Sequence, residues 1–200
     1  MFISVEGING SGKSSQLRKL YAYLKAKNKS VITTKEPGGT PVGDTIRSLA
    51  LYTDFRDSRS ELCLFFADRY EHCERVIKPA LKNNTIVLCD RFVDSTYAYQ
   101  QHASDLTKAL LAQLDRLDCI PDITLLYDLP VAIADARIQA RGDRDAIESR
   151  PQAFHEQVRQ AYLARAAAAP DRICCIDATP DADTVFNETR KYVKLRLNLW

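Results

Sequence analysis

The chain has 200 residues, with 28 Lys and Arg against 26 Asp and Glu, a formal net charge of +2, and 46% hydrophobic and 27% charged residues. That mixture supplies an ordinary core and excludes both a disordered tail protein and a disulfide miniprotein. The charges are scattered, so neither duplex nucleic acid nor an anionic membrane is an expected partner, and any bound anion must be caught locally.

The longest apolar runs are strand-sized, far short of the roughly 20 residues of a membrane span, and the first runs into glycines without a basic leader. An unexported, cytoplasmic protein is expected. The six cysteines, at 63, 73, 89, 119, 174 and 175, contain no CxxC pair. Runs such as Ile86-Val87-Leu88-Cys89 and Ile173-Cys174-Cys175-Ile176 are expected to pack reduced thiols as small hydrophobes.

In chain order, Phe2-Ile3-Ser4-Val5 is a short, nearly continuous apolar run of the kind a doubly buried strand requires. A glycine loop and then Leu17, Leu20, Tyr21 and Leu24 follow, the last four at helical spacing. Val31-Ile32-Thr33-Thr34 is the second strand, followed by a loop rich in glycine and proline and a short helix bearing Arg47. Thr85-Ile86-Val87-Leu88 and Ile123-Thr124-Leu125-Leu126-Tyr127 are the next strands, with Leu110, Leu114 and Leu117 on a helix between them. The alanine-rich run 164–169 is helical until Pro170 stops it. Ile173 to Ile176 is the fifth strand, and Val185, Thr189, Tyr192 and Val193 mark a last helix. Strands alternating with helices predict a five-stranded parallel sheet covered on both faces, in one α/β domain over residues 1–200.

All seven glycines lie at 7, 10, 12, 38, 39, 43 and 142, and six of them fall in two loops. The first loop, Gly7, Ile8, Asn9, Gly10, Ser11, Gly12, Lys13 and Ser14, fits GxxxxGK[ST] between a strand and a helix, with Ser15 just inside the helix. Backbone N–H groups here can converge on a polyphosphate at the positive end of a helix dipole. Lys13 neutralises it, and the Ser14 hydroxyl can ligate Mg²⁺. Asp90, ending a buried strand, is the expected second oxygen ligand or its support. The loop alone leaves a GTPase, an ATPase motor and a small-molecule kinase open. A guanine-reading Asn-Lys-x-Asp is absent, since Asn28-Lys29-Ser30-Val31 lacks the carboxylate.

The second loop, Glu36-Pro37-Gly38-Gly39-Thr40-Pro41-Val42-Gly43, should reach the carboxyl edge of the sheet beside the first. Pro37 stiffens it in either isomer of its peptide bond, and Arg47 is placed to reach a phosphate.

Glu6-Gly7, Glu36 to Thr40, Phe65-Phe66-Ala67-Asp68-Arg69, Asp90-Arg91-Phe92 with Ser95 to Gln100, and Arg141-Gly142 before Ile147-Glu148 occur in this order. Together they resemble thymidylate kinases, over residues 1 to about 148. The resemblance implies a three-layer P-loop kinase fold with a short lid at about 137–150, and Mg-ATP-dependent phosphorylation of dTMP to dTDP. It implies that Phe65 stacks on thymine and that Arg69, Ser95 and Thr96 meet the polar edge of the ring. Arg91 would hold the acceptor phosphate, Tyr99 would crowd the 2′ position of the sugar, and Gln100, Glu36 and Pro37 would line the site. The family also implies a homodimer.

The lid resembles that of bacterial-type members, in which an arginine of this segment is catalytic; Arg141 and Arg144 are the candidates, with Lys13 and Arg91. Cations on a closing segment suit phosphoryl transfer, which asks for charge neutralisation and positioning. Asn9 stands where the family usually has a carboxylate, Ala146 where it has an arginine, and Lys35 where arginine is frequent. Arg137 and the loop after Ile176-Asp177-Ala178 are the positional guesses for an adenine contact. His72, His102 and His155 look isolated and receive no chemical role. The competing readings are a related nucleotide or deoxynucleoside kinase with another acceptor, a slowly hydrolysing P-loop switch, and an impaired paralogue.

Overall fold

The computed structural model describes residues 1–53, 55–100, 105–114, 117–142, 144 and 147–197. The five strands are β1 (Phe2–Glu6), β2 (Val31–Lys35), β3 (Ile86–Asp90), β4 (Ile123–Asp128) and β5 (Ile173–Asp177). They form a single sheet in the order β2-β3-β1-β4-β5, every neighbouring pair parallel.

The helices are α1 (Lys13–Ala26), α2 (Pro41–Tyr52), α3 (Ser58–His72), α4 (Lys78–Lys82), α5 (Val93–Gln100), α6 (Asp105–Leu114), α7 (Val131–Arg141), α8 (Gln152–Ala168) and α9 (Ala182–Leu197). A π-helical turn, Cys73–Ile77, joins α3 to α4. Pro79 supplies the reason: its ring would collide with the carbonyl four residues back, and the wider turn instead lets Lys78 N–H reach the Cys73 carbonyl.

Alternation along the central strands feeds two cores, one on each sheet face. Ile3, Val5 and Leu88 point into the larger with Leu17, Leu20 and Leu24 of α1, while Phe2, Val87 and Cys89 point into the smaller with Leu62 and Ile77. The helical spacings of α1 and α9 behave as the sequence reading anticipated, Val185, Thr189 and Val193 being buried on α9. Leu110 and Leu114 sit on α6, whereas Leu117 lies past its described end.

Two expectations change at the sheet edges. Burial on both faces holds for β1, β3 and β4, but β2 and β5 are edge strands with alternate residues partly open. Cys175 is consequently exposed and Cys174 only partly covered, rather than packed as core thiols; Cys63 is also exposed. Among the described residues no helix is long and apolar enough to cross a membrane.

Because all strands run the same way, the loops after β1, β2 and β3 open at one edge. Beneath them lies a cleft of about 620 Å³.

Candidate active site

The turn after β1 is built from main chain. Gly10 approaches α7 so closely that a Cβ there would lie 2.4 Å from the Ala134 carbonyl oxygen, so only glycine fits. The Gly12 carbonyl accepts from Ser15 and Gln16 N–H at 3.0 and 3.1 Å, starting α1 with its N-terminus at the cleft. Asn9, Gly10, Gly12, Lys13, Ser14 and Ser15 line that cleft. Ile8 and Ser11 are buried in the turn beneath it.

Lys13 is only 8% exposed. Burial, and then the nearby Arg91 guanidinium, pull its pKa down to about 8 against the opposing pull of Asp90, Glu6 and Glu148. An anion bound beside an ammonium so placed would restore its ordinary proton affinity. Ser14 Oγ donates to Asp90 Oδ2 at 2.7 Å, while buried Asp90 Oδ1 has no hydrogen-bond partner among the described residues. A hydroxyl beside a carboxylate with a spare oxygen fits the hard-donor chemistry of Mg²⁺, which takes its remaining ligands from water and phosphate.

Arg91 follows β3 with φ of 71°. This left-handed turn leaves Arg91 N–H bonded to the Val5 carbonyl at 3.0 Å and aims the side chain into the cleft. Its Nη1 donates to Ser95 Oγ at 3.2 Å and Tyr162 OH at 3.0 Å. Its Nη2 donates to Asn9 Oδ1 at 2.5 Å and Tyr99 OH at 3.2 Å. All of these acceptors are neutral, so the guanidinium charge faces the cleft without a carboxylate in direct contact.

Glu6 closes the back of this cluster, fully buried at the end of β1. It accepts from Phe92 N–H at 2.7 Å, Ser95 Oγ at 2.5 Å and Tyr162 OH at 3.0 Å. Burial, with Asp94 nearby, pushes its pKa up to about 7 despite those donors.

The other end of the cleft is organised by the loop after β2. The Glu36-Pro37 peptide bond is cis. Glu36 Oε2 accepts from Arg69 Nε at 2.9 Å and pairs with Nη2 at 2.8 Å, and Oε1 bonds His72 Nδ1 at 2.8 Å. The other nitrogen of His72 meets Thr34 Oγ1 at 2.6 Å. His72 is therefore a buried strut rather than an isolated histidine. Arg69 is 3% exposed, lies over the Phe92 ring with its guanidinium carbon 5.1 Å from the centroid, and keeps Nη1 without a partner among the described residues. Phe65 faces the same space, as do Thr96 and Gln100, while the neighbouring Phe66 packs against the smaller core. Ser95 also lines the cleft, but its hydroxyl is turned toward Glu6. Pro37 and Arg47 complete this wall, and Arg47 Nη1 donates to the Pro37 carbonyl at 3.1 Å.

The arginine segment closes the opposite wall. Arg141 lines the cleft and Nη2 meets buried Glu148 Oε2 at 2.5 Å. Arg144 lies off that lining and pairs with Asp135 Oδ1 of α7 at 2.7 Å. Arg137 also lines the cleft and binds the Ala178 and Thr179 carbonyls at 2.9 and 3.1 Å. Asp143, Asp145 and Ala146 of the expected lid, and His102, lie outside the described residues.

The thymidylate kinase family model matches residues 5–189. The chain belongs to this family. A thymidylate kinase of Pseudomonas fluorescens is 45% identical over 183 residues, covering 89% of this chain and 87% of the relative. One from Caulobacter vibrioides is 42% identical over 203 residues, covering 99% and 98%. The crystal structure of a thymidylate kinase from Ehrlichia chaffeensis superposes with a TM-score of 0.77 at 36% identity, over 97% of this chain and 98% of that one. The three-layer P-loop kinase fold expected of a thymidylate kinase is thus present.

Sequence reasoning gave no site role to His72, to Tyr162 or to Arg18, which also lines the cleft, and it quoted Glu6 and Glu148 only as marks of the thymidylate kinase resemblance. Glu6 did carry a signal, an acid at the end of an otherwise apolar strand. Tyr162 carried none, since its partner Glu6 is 156 residues away along the chain.

Proposed function

We infer that this cleft transfers the terminal phosphoryl group of ATP to the phosphate of dTMP, giving dTDP and ADP. One observation carries the reading. Two anion stations, the P-loop amides with Lys13 and the uncompensated guanidinium of Arg91, open into a single cavity. An enzyme that joins two phosphates needs that separation of grips, whereas a nucleotide switch needs only the first.

Lys13 neutralises the donor's outer phosphates and the turn amides cradle them. Arg91 holds the acceptor phosphate. Because the acceptor is already an anion, no general base is required. Phe65 offers a ring face for the pyrimidine, a contact of roughly 1–3 kcal/mol by analogy with bases on aromatic side chains. The spare Nη1 donor of Arg69 suits the carbonyl acceptor at position 4 of thymine and disfavours the amino group of cytosine. Tyr99, held by Arg91, crowds the sugar. Arg141 is the lid cation that neutralises charge on the transferring group, since it lines the cleft whereas Arg144 lies off that lining and pairs with Asp135. Arg137 and the carbonyls it holds form the wall for adenine.

Ser14 and Asp90 would hold Mg²⁺, which supplies charge neutralisation between the donor phosphates. We further infer a single catalytic domain, working in a reducing cytoplasm as a homodimer. Exposed Leu49 and Tyr52 of α2 and Tyr70 of α3 support the homodimer, being large hydrophobics that a second copy would cover.

The test is ADP release from Mg-ATP with dTMP, dUMP, dCMP, AMP, GMP or thymidine offered singly. Strong preference for dTMP is expected. Lys13→Ala should abolish turnover, and Arg141→Ala should lower kcat far more than Arg144→Ala. Equal ADP release with no acceptor present would replace the kinase reading with an ATPase or switch.

A further inference from the structure

The acceptor reading assigns Arg91 a phosphate but leaves open what fixes its guanidinium, and this inference rests on that reading. Arginine can only donate hydrogen bonds and an ionised carboxylate can only accept them. Between Arg91 and Glu6 stand the hydroxyls of Ser95 and Tyr162, each with one proton to give. Both lie within hydrogen-bond distance of Glu6 Oε2, Ser95 at 2.5 Å and Tyr162 at 3.0 Å. Both also accept from Arg91 Nη1, at 3.2 and 3.0 Å. The two hydroxyls also lie 2.7 Å from each other, so with Glu6 ionised at least one of them gives its hydrogen to the carboxylate while both turn lone pairs to Arg91.

Glu6 has no direct bond to Arg91 and, like Tyr162, is not among the cleft-lining residues. Tyr162 comes from α8 and stands edge-on to Tyr99 of α5, ring centroids 6.2 Å apart, so the two helices meet beside the guanidinium. Buried hydroxyls polarised by a carboxylate are stronger acceptors than isolated ones. They also leave the net charge of Arg91 undiminished at contact, which a direct ion pair would not.

We propose that Glu6 and Tyr162 are positioning residues for the acceptor phosphate, acting through Arg91 by a hydroxyl relay that orients the guanidinium without neutralising it. Neither touches the substrate. Their effect must therefore vanish when Arg91 is gone.

The experiment is a double-mutant cycle on dTMP affinity, measured by calorimetry, with Mg-ATP affinity and thermal midpoint as controls. Tyr162→Phe removes only the hydroxyl. It should weaken dTMP binding about tenfold, in keeping with one hydrogen bond to a charged group, and leave Mg-ATP affinity unchanged. In an Arg91→Ala background the same change should have no further effect on dTMP. Glu6→Gln, which keeps volume but turns an N–H₂ toward the hydroxyls, should reproduce the pattern and serves if Tyr162→Phe does not fold.

Penalties that add independently in the two backgrounds would overturn the relay, as would Tyr162→Phe weakening both ligands alike or weakening neither. An Arg91→Ala enzyme that binds dTMP normally would instead overturn the assignment of Arg91 itself, a separate result.

Discussion

Arg91 is placed by its backbone as much as by its partners. A φ of 71° is unfavourable for any residue with a Cβ, at roughly 1 kcal/mol. Only glycine would adopt it freely, and glycine carries no cation. Strain and function thus coincide at one position. Comparing two substitutions isolates the backbone part, since Arg91→Ala and Arg91→Gly remove the same hydrogen bonds but only the second relieves the turn. Arg91→Gly should be the more stable by about 1 kcal/mol in urea unfolding, and both should lose dTMP affinity. Equal stability would mean that the turn is unstrained.

At the scale of elements, the loop after β2 is fixed by α3. Asp68 Oδ1 accepts from Gly38 N–H at 3.1 Å, and a Cβ on Gly43 would lie 2.3 Å from that same oxygen. Helix α2 therefore starts in contact with α3, with Thr40 capping it through Gly43 N–H at 2.9 Å. Gly43→Ala should cost about 1–3 kcal/mol by overpacking and raise KM for dTMP, because the displaced loop carries Glu36 and with it Arg69. Urea midpoints and steady-state kinetics would check this, and an unchanged midpoint would show that α2 can shift freely.

These elements also show what was legible in the sequence. The strands and the P-loop announce themselves because their signals are local: apolar runs, glycines at fixed offsets and a lysine before a helix. The strut Thr34-His72-Glu36 was not legible. His72 has no neighbour in sequence that marks it, and only the packing of α3 under β2 brings it to its partners. Tyr162 was hidden for the same reason, being one tyrosine in a long amphipathic helix. Cys175 was misread because an apolar run does not say whether its strand is central or at an edge.

For the whole molecule, the cleft sets two buried charges against their ordinary behaviour. The Glu6 pKa is raised from 4.5 to about 7, so folding favours its protonated form, and its contribution to stability declines as pH rises through that interval. The Lys13 pKa is lowered from 10.5 to about 8, so folding favours the neutral amine, and its contribution declines as pH falls from the first value to the second. Both oppose folding in the interval between the two values, about 7 and about 8.

A bound polyphosphate should return Lys13 to its usual range. Calorimetric titration with Mg-ATP at pH 8 should then show uptake of about half a proton, read from heats that vary with the ionisation enthalpy of the buffer. Heats independent of the buffer would mean that Lys13 is already charged.

The lowered proton affinity of Lys13 has a bearing on turnover. With its pKa at about 8, a nucleotide binding in mildly alkaline solution should bring with it a hydrogen ion drawn from solvent, and departure of the products should let that ion go again. The chemical equation balances without it, so the overall stoichiometry does not disclose this traffic. A rapid-mixing experiment with a pH indicator would see it as a transient alkalinisation that lasts as long as the site stays filled.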